Sequence, residues 1–259
     1  MTSSLRDLVA ANRHGERHAS TYTNRSGLAA AEHAAVGAAE LRRLAPIVLE
    51  SVVPALDLLL GRWHPAGYMV YSLGTHADLG SLRLHIWPAE LRRAEERPPG
   101  VRDVHDHVLH ISSLVLAGTY VDELYQVWAE DQNLEQAAMD KHGLFRVYTP
   151  SAGESGSALL NATAEIVGAR VIGERVIDSG DSHAIAAGLY HAPRIPPSDL
   201  CVTLSFSSYP VMTGGPHILI QGRPRQYRGT LRTVASHEAK HASEQAERFA
   251  CQSAHTVVR

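Results

Sequence analysis

The sequence predicts a mainly β protein, a closed barrel or double-sheet jelly roll with helices before it and a helix after it. Three observations carry that expectation. Short segments rich in β-branched and aromatic residues succeed one another from about Gly67 to Tyr227, each bounded by Gly, Pro, Asp or Ser, which is the punctuation of strands and turns. Runs of helix formers flank them on both sides. The composition, 44% hydrophobic and 20% charged over 259 residues, is that of a globular chain long enough to bury a core without disulfide staples.

In chain order, residues 1–26 are polar and read as a loosely ordered arm or short helix. Residues 28–44 are rich in Ala, Glu, Leu and Arg, with Ser26 as an N-cap. Pro46 is placed in the first turn of a second helix, whose apolar face ends at Gly61. Strands are expected at 68–73, 82–87, 111–116, 119–127, 143–148, 164–177, 183–186 and 201–206, with 217–227 as a last one. Residues 237–251 read as a surface helix. One structural domain is expected, made of N-terminal arm and helices (1–66), barrel (67–230) and helical tail (231–259).

Charge excludes several function classes. The net charge is −3 with no basic excess, so no nucleic-acid partner is expected. The mixed-sign cluster from Glu90 to Arg97 reads as a solvated surface. Cys201 and Cys251 form no CxxC pair, which argues against zinc ribbons and redox motifs. Met1 to Arg17 lacks the apolar centre of a signal peptide. The most hydrophobic stretch, 44–60, is broken by Pro46, Glu50, Pro54 and Asp57, so no membrane span is expected. A cytoplasmic protein fits these features.

Sixteen histidines stand out, and their spacing points to a metal. His105-Asp106-His107 lies between Gly100 and Gly118. On a strand, residues two apart share a face, so the two imidazoles can converge on one ion. A second motif runs Gly180-Asp181 to Gly188, then His191. Folding the chain back would set His191 beside the first pair, a long-range step that spacing alone does not give.

These two segments resemble the paired motifs of the cupin superfamily. Gly100, His105, His107 and Gly118 match the first, and Gly180, Asp181, Gly188 and His191 match the second, with Ala186 where proline is usual. The resemblance implies a cupin barrel with His105, His107 and His191 as metal ligands. The glutamate that often follows the His-x-His pair is absent, its slots being Ile111 and Ser112. That leaves a three-histidine site, with His110 as a possible fourth ligand. Such sites, holding non-haem iron, occur in the thiol dioxygenase branch, to which 105–125 is distantly similar. The Ser-x-His-x-Tyr unit of cysteine dioxygenases is missing, since Thr203 to Ser207 holds neither the histidine nor the tyrosine. That argues against this particular activity.

The expected function is an Fe(II)-dependent oxygenase acting with O₂ on a small, polar, anionic metabolite. Zn, Ni or Mn are the alternative metals, because imidazoles without thiolate do not single out iron. Arg83 and His85 share a strand face; they bind substrate if that face lines the barrel and are unremarkable if it meets solvent. His110 and His183 are candidates for proton transfer, and Tyr120 for substrate contact or barrel packing. His64, His76, His142, His217, His237 and His241 read as surface or structural, and Cys201 as a small buried apolar residue. A non-redox isomerase or lyase and a non-catalytic ligand-binding cupin remain alternatives. Homodimerisation is implied by the resemblance only.

Overall fold

Two antiparallel sheets form the body of the protein, with one helix before them and one after. The structure, a computed structural model, describes residues 29–64, 66–91, 104–129, 144–152, 157–221, 226–230 and 232–256. The N-terminal arm, Ser26, most of the 90–97 charge cluster, Gly100, His142 and Gly143 lie outside these residues.

The first sheet runs β1 (Gly61–His64), β2 (Tyr68–His76), β3 (Gly80–Trp87), β11 (Cys201–Ser207), β5 (Ile111–Ala117), β9 (Ser182–Ile185). Strand periodicity splits it into two unlike faces. Leu82, Leu84, Ile86, Val202, Leu204 and Phe206 point one way and join the main apolar core. Arg83, His85, Thr203 and Ser205 alternate with them and point the other way.

Helices cover the apolar face. α1 (Ala30–Ile47) passes without interruption through Pro46, then continues as a wide turn (Val48–Val52) and a tight one (Val53–Leu58). The expected break at Pro46 is thus a change of helical pitch just beyond it, as befits a residue that cannot donate an i→i−4 bond. α1 sits close to β5: a Cβ on Gly37 would lie 2.7 Å from the Ser112 side chain. Beside it the fully buried His33 approaches the Leu79 carbonyl at 3.2 Å through Nε2 and the Ser112 hydroxyl at 3.0 Å through Nδ1. α2 (Ser236–Thr256) packs Ala239, Ala242 and Ala246 into the same core, so it is a docked helix with one exposed side. Glu238 pins its start by accepting from Trp63 Nε1 at 3.0 Å and from both terminal nitrogens of Arg232 at 2.7 and 2.6 Å.

The second sheet runs β13 (Gln226–Thr230), β8 (Ser157–Asp178), β6 (Thr119–Ala129), β10 (His191–Arg194), β4 (Val104–His105), β12 (Ile218–Ile220), β7 (Leu144–Ala152). β7 also pairs with the long β8, so this sheet returns on itself. Tyr125, Val167, Ala192, Val104, Leu219, Phe145 and Val147 pack together there, with every strand of the ring contributing. Gly118 makes the sharp turn from β5 into β6; its φ is +78°, and a Cβ would strike the Leu200 carbonyl oxygen. No described helix is long and apolar enough to cross a membrane.

Candidate metal centre

Register brings the two histidine motifs together. β10 lies between β6 and β4, and His191 stands opposite His105 on one side and Leu124 on the other. Directly opposite residues of antiparallel strands share a face, so the rings of His105 and His191 meet, with centroids 4.6 Å apart. β4 ends at His105, yet alternation persists for two more residues. Asp106 turns away and is buried, its carboxylate 3.0 Å from His217 Nδ1. His107 returns to the side of His105, centroid to centroid 4.7 Å. The Gly188 N–H donates to the His107 carbonyl at 2.8 Å, tying the motifs directly, and its φ of +77° explains why glycine is needed there.

One ring nitrogen from each of His105, His107 and His191 falls in a group lying within 4.8 Å of one another. The Nε2 atoms of His107 and His191 are 3.0 Å apart. Two nitrogens each about 2.1 Å from a common ion, at right angles, sit about 3.0 Å apart. The donor set therefore fits one divalent cation. Burial, followed by the proximity of His191, holds His107 down to about 3, so its imidazole is neutral at physiological pH.

His191 is oriented from behind. Asp122 sits two residues before Leu124 on β6, diagonal to His191 on the same face. His191 Nδ1 donates to Asp122 Oδ1 at 2.7 Å. That bond leaves Nε2 directed at the other two rings. Arg175, directly opposite Asp122 on β8, donates to its second oxygen and to the Ala184 carbonyl. Burial opposes the Asp122 charge, but the bonds from His191 and Arg175 outweigh it and hold the carboxyl below its ordinary range. Neither Asp122 nor Arg175 stood out in the sequence. Both strands carry other charged residues, Glu123 beside Asp122 and Glu174 beside Arg175, so no local signal singled out this pair.

The first sheet turns its polar face to this centre. Its outermost members are Arg83 and His85, half-buried on β3, and the charge of Arg83 is felt at His107. His85 approaches Ser205 Oγ at 3.4 Å, and burial followed by the Arg83 charge depresses it to about 3. At the other side, Tyr120 of β6 is hydrogen-bonded to His183 Nε2 on β9, so this pair bridges the sheets. Burial depresses His183 to about 4 and raises Tyr120, so both are uncharged near neutral pH. His110 is directed elsewhere. Its Nδ1 accepts the Ala187 N–H at 3.0 Å, and its ring lies 6.2 Å from that of His33 under α1. Cys201 is fully buried.

No known family profile matches the chain, and no curated protein sequence matches it either. Among solved structures, the chain is similar over 64% of its length to 98% of Drosophila melanogaster CENP-C bound to CAL1, with 11% identity and a TM-score of 0.29. It is similar over 68% of its length to procruciferin, an 11S globulin from Brassica napus, with 11% identity and a TM-score of 0.28. Over 80% of its length it is similar to a mutant hydroxyethylphosphonate dioxygenase, with 14% identity and a TM-score of 0.18. It spans 35% and 45% of the latter two chains. At these scores none of the likenesses assigns a fold or an activity.

Proposed function

We propose that the chain is a cupin-type oxygenase that holds one Fe(II) on His105, His107 and His191 and acts with O₂ on a small anionic metabolite. The observation that supports this most is the meeting of imidazoles from segments 84 residues apart, one of them oriented by a buried carboxylate. Three neutral nitrogen donors leave a divalent ion its full charge and further positions for ligands. Zn, Ni or Mn would fit the same donors. When bound, Fe(II) supplies the redox chemistry that lets O₂ react with an organic substrate.

The chain's own residues have separate tasks in this reading. Asp122 retains the His191 Nδ1 proton and so presents Nε2 to the centre. Arg83 attracts and orients the anionic group of the substrate. The Tyr120–His183 pair keeps a proton on the phenol oxygen at neutral pH and can exchange it with a bound group.

The test is metal analysis of protein purified without added metal, paired with O₂ uptake against a panel of small acids, thiols and amines. Near-stoichiometric iron with substrate-dependent uptake is expected, and His191→Ala should lose both. Turnover that needs the metal but proceeds without O₂ would replace the oxygenase with an isomerase or lyase. Failure to take up any metal after reconstitution would overturn the centre.

A further inference from the structure

Strand register lays a polar row across the first sheet. Arg83 on β3 stands opposite Ser205 on β11, Ser205 opposite Ser113 on β5, and Ser113 opposite His183 on β9. Opposed residues share a face at about 5 Å spacing, so the row extends on the order of 15 Å from a guanidinium to an imidazole. Thr203 lies beside it, opposite His85.

The hydroxyls of this row are short of partners. Ser205 is fully buried, and its hydroxyl has one contact among the described residues, His85 Nδ1 at 3.4 Å. Ser113 and Thr203 are 6% and 3% exposed, and their hydroxyls bond to nothing among the described residues. Neither hydroxyl is completely enclosed. Arg83 has no carboxylate partner among the described residues. Asp122, the buried acid of the facing sheet, is already committed to His191 and Arg175. More than nine buried polar groups in ten have a hydrogen-bond partner in folded proteins. Hydroxyls left slightly open on one face, beside a guanidinium with no carboxylate partner among the described residues, offer a polar ligand free donors and acceptors.

We infer that this row is the substrate floor of the proposed centre and that it selects a short hydroxylated carboxylate. The carboxylate lies on the Arg83 fork, which matches two oxygens at once. Hydroxyl or keto oxygens of the ligand meet Ser113 and Thr203, each able to donate and accept. A ligand without such groups would leave the row's hydroxyls unpaired, and that penalty provides the selectivity. The inference rests on the metal-centre reading for where the reacting end sits, but the row can be tested without turnover.

The experiment is calorimetric titration of the full chain, zinc-loaded so that no redox chemistry occurs, with malate, succinate and the neutral diamide succinamide. Malate should bind, succinate roughly 10-fold more weakly, and succinamide not measurably. Arg83→Met should lose malate binding while retaining zinc. Ser113→Ala should bring malate to the level of succinate with no fall in melting temperature. Equal binding of all three compounds, undiminished malate binding by Arg83→Met, or no malate binding to zinc-loaded protein would overturn the row. If the chain takes up no zinc, malate binding to metal-free protein that Arg83→Met abolishes still supports the row while the centre fails. Its absence there sinks both.

Discussion

On the second sheet, the buried carboxylates around the histidines are committed. Asp122 receives His191 and Arg175, and Asp106 receives His217. On the facing sheet, Arg83, Ser113 and Thr203 point inward with no such partners among the described residues. One wall spends its hydrogen bonds on fixing side chains, which costs adaptability and gives a centre held in one geometry. The other keeps its donors and acceptors for something that arrives. The pairing rules of both sheets are the same; what differs is which residue types fall on the shared face.

The largest expected effect comes from breaking the committed wall. Asp122→Asn keeps the shape but loses the charge that orients His191. Metal affinity should fall about 10–100-fold, measured by competition against a chromophoric chelator. Arg83→Met, on the uncommitted wall, should leave that affinity unchanged. Equal losses in the two variants would erase the distinction between the walls.

Acid probes the facing wall without mutation. His85 and His183 stay uncharged in the fold until about pH 3 and 4 respectively, burial being the main cause. In the unfolded chain they protonate near 6.5. Between those limits the unfolded state binds more protons, so stability rises with pH and falls as pH drops below 6.5. At pH 5.5 each residue should cost about 1 kcal/mol, seen as a lower denaturant midpoint for metal-free protein than at pH 7.5. His183→Gln should recover its own share of that loss. An unaltered pH dependence in this variant would mean that His183 is charged in the fold.

Much of this arrangement was legible in the sequence because it rests on period-two alternation. The segment 82–87 read as a strand with Arg83 and His85 on one face and Leu82, Leu84 and Ile86 on the other, and β3 carries that division. The spacing of His105 and His107 showed that they share a side. It did not show that β4 ends at His105 and that Asp106 replaces ladder pairing with a bond to His217. Asp122 was hidden for a different reason. Its role depends on β10 inserting between β6 and β4, and such pairing between distant segments leaves no local mark. The helix passing through Pro46 was missed because proline is tolerated in a first turn and so reads as the start of a helix, whereas here it lies in the last turn of one.

The smallest effect gives the sharpest comparison, because it contrasts two adjacent serines. Ser112 and Ser113 occupy consecutive positions on β5 and so face opposite ways. Ser112 points to α1, where its hydroxyl lies 3.0 Å from His33 Nδ1 and donates to the His33 carbonyl at 2.9 Å. Ser112→Ala leaves those buried groups unsatisfied and should cost about 1–3 kcal/mol. Ser113 is also buried, yet its hydroxyl bonds to nothing among the described residues. Ser113→Ala therefore removes a largely buried hydroxyl without orphaning a partner among the described residues, and metal-free protein should be unchanged or slightly more stable in urea melts. A loss for Ser113→Ala matching that for Ser112→Ala would show that the inward face is held by interactions of its own, and that its hydroxyls are structural.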